Sequence, residues 1–62
     1  MTAEEKEEFL SDVRYFWQEK GDVRRLSGFS IEKLREADPV IADAFERLEL
    51  ATETFNRLIG EL

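Results

Sequence analysis

Sixty-two residues with no cysteine and no histidine make one small domain spanning 1–62, without disulfides, thiolate zinc sites or the commonest general base. Fifteen acidic against nine basic residues give a net charge of −6, which disfavours general attraction to phosphate backbones or anionic lipid. Ser11, Ser27 and Ser30 have no histidine to activate them, and no glycine-rich phosphate loop exists. An enzyme is therefore not expected, nor any cofactor, metal or small-molecule substrate. The start, Met1 to Glu8, is acidic where a secretory leader is basic, and no apolar run nears the roughly 20 residues of a membrane span. A cytoplasmic protein is expected.

The first predicted element is a helix ending at Lys20. Thr2 and Glu5 have capping-box spacing, and Glu4, Glu5, Glu7 and Glu8 suit the positive end of the helix dipole. That dipole match also explains the acidic run without a cation site. Phe9, Leu10, Val13, Phe16 and Trp17 share one face at helical spacing, and Gly21 is the expected stop. Tyr15 falls off that face.

Asp22 to Ala37 is predicted to be broken. Asp22 can cap a turn or two through Leu26, Ser27-Gly28 marks a turn, and Ser30 can cap a short helix over Ile31–Ala37. Segment 22–37 resembles a helix-turn-helix in outline. If it bound nucleic acid, Arg24, Arg25, Lys33 and Arg35 would meet the duplex. The would-be reading helix is neutral, however, with Glu32 and Glu36 against Lys33 and Arg35, and both flanks are acidic. A corner that packs the core is favoured over DNA binding.

Asp38-Pro39 ends that piece and starts the last helix, with Asp38 as N-cap and proline at the first helical position. Ile41, Phe45, Leu48, Thr52, Phe55, Ile59 and Leu62 keep close to a 3.5-residue step, the spacing of a helix-pairing seam. Gly60 is the expected C-cap, and Asp43/Arg47 and Glu53/Arg57 are expected charge pairs at i,i+4. From Pro39 to Ile59 the helix would span about 31 Å, more than the roughly 27 Å diameter of a compact chain of this size. Some of its apolar surface is thus expected to lie uncovered.

The expected fold is all-α: a small three-helix bundle with a broken short middle helix and a long C-terminal amphipathic helix. The two long helices are expected to pack antiparallel. Their expected core is Phe9, Val13, Phe16, Trp17, Leu26, Phe29, Ile31, Leu34, Ile41, Phe45, Leu48 and Phe55. The expected role is a non-enzymatic protein-interaction module, binding a protein partner or itself as a homodimer through Leu50, Phe55, Leu58, Ile59, Leu62 and Tyr15. An engineered or isolated stable domain without native activity is the remaining alternative.

Overall fold

The computed structural model describes residues 1–62 throughout and contains α1 (Ala3–Lys20), α2 (Ile31–Ala37) and α3 (Pro39–Gly60). Helix takes 76% of the chain and there is no strand, so the class is all-α. Each helix start follows from local chemistry. The Thr2 hydroxyl accepts the Glu5 amide proton at 3.1 Å while Glu5 accepts that of Thr2 at 3.2 Å, closing the capping box. Ser30 Oγ accepts from the Lys33 amide at 3.1 Å. Asp38 Oδ1 accepts from Val40 and Ile41, and Pro39 follows as the first helical residue.

The stops are less uniform. Gly21 ends α1 in the left-handed region (φ 68°), its amide bonding the Trp17 carbonyl. Gly60, expected as a cap, is the last helical residue of α3, and Glu61 ends the helix with right-handed backbone. Between α1 and α2 the expected short helix at 22–26 does not form. Two successive turns replace it, closed by Leu26 N–H to the Val23 carbonyl and Phe29 N–H to the Leu26 carbonyl. The Asp22 carboxylate accepts the Arg24 amide proton, the bond a helix N-cap makes, but the backbone beyond it closes only three-residue turns.

The core is small. Phe9, Leu34 and Ala42 form one buried cluster, one residue from each helix, and Val23 is buried outside it. A run of rings ties it together: Phe9 stacks near Phe29 (centroids 6.2 Å apart), and Phe29 meets Phe45 edge-on at 5.5 Å. Lys33 Nζ lies 4.8 Å from the centre of the Phe9 ring.

Two expectations fail here. The long helices do not pack along each other: α2 lies against both, and no Cα of α1 comes within 8 Å of one in α3. The molecule therefore measures 47 × 22 × 15 Å, with a radius of gyration of 13.4 Å, where a compact chain of this length would give about 11 Å. Four expected core residues are also substantially exposed: Trp17, Ile41, Leu48 and Phe55. Val23 and Ala42 take the buried places that sequence periodicity gave to larger side chains.

Candidate interaction surface

The way α3 is seated creates the surface. Its contact with the rest of the chain is made by buried Ala42 and half-buried Phe45, Glu46 and Glu49. Arg35 of α2 reaches across to Asp43 (Nη1 to Oδ1 3.1 Å) and also to Glu46. Arg24 lies 3.9 Å from Glu49 and 3.6 Å from Asp22. Asp43 thus pairs with α2 rather than with Arg47. These are exposed pairs worth roughly 0–1 kcal/mol each, so they orient the helix more than they hold it.

Around the helix from that flank runs the apolar stripe, open except at Phe45, which packs against Phe29 at its inner edge. Ile41 and Leu48 are 42% and 43% exposed, Phe55 62% and Leu62 100%. Every residue from Leu50 to Leu62 is exposed. Thr52 is the one polar residue in the stripe. Its hydroxyl donates to the Leu48 carbonyl at 2.9 Å, so it carries no unpaired donor toward solvent. No charged side chain interrupts the seam positions between Ile41 and Leu62.

The two halves of the stripe differ in shape. Beside the first half, Val13 and Trp17 of α1 rise next to Ile41, Ala44, Phe45 and Leu48, with Val23 and Leu34 also lining the depression. All of these residues are hydrophobic, and the groove is open, with a volume of about 290 Å³. That lies at or below the lower edge of small-molecule sites, which are also more enclosed. The second half has no neighbouring element and projects Phe55, Leu58, Ile59 and Leu62 as knobs.

Of the residues expected to bind a partner, Phe55 and Ile59 lie in the stripe, Leu58 lies beside it about 100° from Ile59, and Leu62 continues it two residues past the helix end at Gly60. Leu50 lies two residues from Leu48 and Thr52, about half a turn away, among Glu46, Glu49 and Glu53. Tyr15 is likewise two residues from Val13 and Trp17, and it touches the edge of the Phe16 ring. The surface thus gains Trp17, Ile41, Ala44 and Leu48, which the sequence pattern assigned to a core or left unmarked.

The four basic residues of the middle segment serve different neighbours. Arg24 and Arg35 face carboxylates of α3, Lys33 covers Phe9, and Arg25 lies beside Phe16, Lys20 and Asp22. Two carboxylates carry depressed pKa values. Glu5 is lowered first by the Thr2 amide proton and then by the Thr2 hydroxyl, and Asp22 first by the Arg24 amide proton. Both shifts come from turn and cap geometry rather than from a reactive site. No three carboxylates converge as metal ligands would, and no helix is long and apolar enough to cross a membrane.

Fold and surface together define a small all-α protein of three helices, with the last helix uncovered over its C-terminal half. No known protein family, curated protein or solved structure matches the chain.

Proposed function

We propose that this chain is a non-enzymatic protein-interaction module that presents the apolar stripe of α3, helix against helix. The observation that supports this is the seating of α3: Ala42 and Phe45 lie on the flank that meets the core, while Ile41, Leu48, Phe55 and Ile59 stay exposed, with exposed Leu62 just past the helix end. A lone exposed apolar side chain is ordinary, but a continuous strip along a whole helix is characteristic of a contact surface. Amphipathic helices engage grooves and other helices by anchors at i, i+3, i+4 and i+7, the spacing of Leu48, Ala51, Thr52 and Phe55.

Phe55→Ser tests the reading by hydrogen exchange. If the stripe serves a partner, amide protection at Phe9, Leu34 and Ala42 stays unchanged in a monomeric 7.3 kDa sample. Loss of that protection would assign Phe55 to the chain's own fold and overturn the proposal.

A further inference from the structure

The stripe has a depression in one half and knobs in the other, and the two halves are complementary. Resting on the interaction reading above, we infer that the occupant is a second copy of this chain, paired antiparallel through α3 about a two-fold axis between Ala51 and Thr52. In that register Leu48 faces Phe55 of the second copy, Ala44 faces its Ile59, and Ile41 faces its Leu62. The small Ala44 meets a large side chain, and Thr52, its hydroxyl already bonded to Leu48, meets Ala51. Each copy's projecting half then lies in the other's groove, beside Trp17 and Val13. The interface is isologous and closes after two copies.

Three further observations select this arrangement. A parallel pair would set groove against groove, leaving two depressions facing each other with nothing to fill them, which forfeits packing. Antiparallel α3 helices also bring opposite dipole ends together. Area is the third. At roughly 200 Å² for a fully exposed large side chain, the exposed parts of Trp17, Ile41, Leu48 and the four knobs offer about 800 Å² per copy. A symmetric pair would cover at most about 1,600 Å², which reaches the usual size of a specific interface, against less than about 800 Å² for chance contacts. The stripe carries no charge, so pairing two chains of net charge −6 buries no carboxylate there.

Because the chain has no cysteine, single cysteines report the register directly. Sedimentation across a concentration series should give a mass rising from 7.3 kDa to twice that value. Phe55→Ser, counted twice in a two-fold interface, should weaken the pair about tenfold or more. Under mild oxidation Thr52→Cys should cross-link to its own kind, near the axis. Leu62→Cys should not, yet it should cross-link when mixed with Ile41→Cys. Self-linking by Leu62→Cys would show a parallel pair, and a dimer in which Thr52→Cys stays unlinked would refute the register. A strict monomer at all concentrations would overturn the second copy as occupant. If Phe55→Ser then left the core amides protected, the interaction reading would survive with a different partner. If it unfolded that monomer, both proposals would fall.

Discussion

Leu34→Ala is the sharpest test of how this fold is held. Leu34 is 1% exposed and forms one cluster with Phe9 of α1 and Ala42 of α3, so both long helices meet through it. The substitution removes three carbon atoms, a transfer loss of about 2.4 kcal/mol at roughly 0.8 kcal/mol for each. A cavity contribution adds to that, but Leu34 also lines the open groove, where Val23 and Ile41 can settle inward. The expected total is about 2.5–3.5 kcal/mol, toward the lower part of the usual range of about 2–5 kcal/mol for such truncations. A chain of this length holds about 3–9 kcal/mol in all, and four buried residues put this one near the lower figure. The variant should thus be at the edge of folding. Urea unfolding followed by far-UV circular dichroism, at one fixed protein concentration, should move the midpoint down by more than half with the slope unchanged. A loss under about 1 kcal/mol would refute the view that α2 is what joins α1 to α3.

Two further outcomes follow from the helix ends. Asp38→Ala removes the acceptor of the Val40 and Ile41 amide protons and should cost about 1–2 kcal/mol in urea unfolding, with Asp38→Asn restoring most of it; equal stability in all three chains would contradict the cap. The carboxyl of Glu5 should titrate below the ordinary glutamate value of about 4.3. Its folded value lies under its unfolded one, so the capping contribution is complete above the unfolded value and is lost as pH falls through the folded value. Carboxyl titration by NMR checks this, and a midpoint at or above the ordinary value would remove the capping box from the account.

The ends of the elements were the most legible part of the sequence, because caps are local. Thr2, Gly21, Ser30 and Asp38-Pro39 each act within a few residues, and each appears where its chemistry requires. The burial pattern was less legible. Periodicity finds which side of α3 is apolar but not which side faces α2, and choosing the largest residues as core led to Ile41, Leu48 and Phe55 instead of Ala42. A signal did exist in the charges. Asp43, Glu46 and Glu49 form an acidic row at three-residue spacing, and the only non-acidic part of the chain supplies Arg24 and Arg35 to meet it. The short helix expected after Asp22 does not form although its capping bond to Arg24 is made: the backbone closes i→i+3 turns at Leu26 and Phe29, and Gly28 takes a left-handed φ of 77°.

Why the most apolar side of α3 faces away from the core can be argued from the corner at Asp38. Three exposed ion pairs at roughly 0–1 kcal/mol each are too weak to outweigh burying two or three large side chains at about 1.5–3 kcal/mol apiece. Something stronger must set the rotation of the helix. Asp38 is the only residue between α2 and α3; its amide closes the last turn of α2 on Leu34 while its carbonyl accepts from Ala42. With one linking residue, held by hydrogen bonds to both helices, α3 has little slack to turn about its axis. The residue one turn beyond the corner must face α2, and that residue is Ala42, small enough to let the two helices meet closely. Ile41 precedes it and so sits about 100° around the helix. Leu48, Phe55 and Ile59 follow Ile41 and stay exposed, while Phe45, nearer Ala42 around the helix, packs on Phe29: the corner fixes α3 so that most of the stripe points away from the core. The ion pairs then reinforce a rotation already made, and the stripe is left open by the same corner that builds the fold.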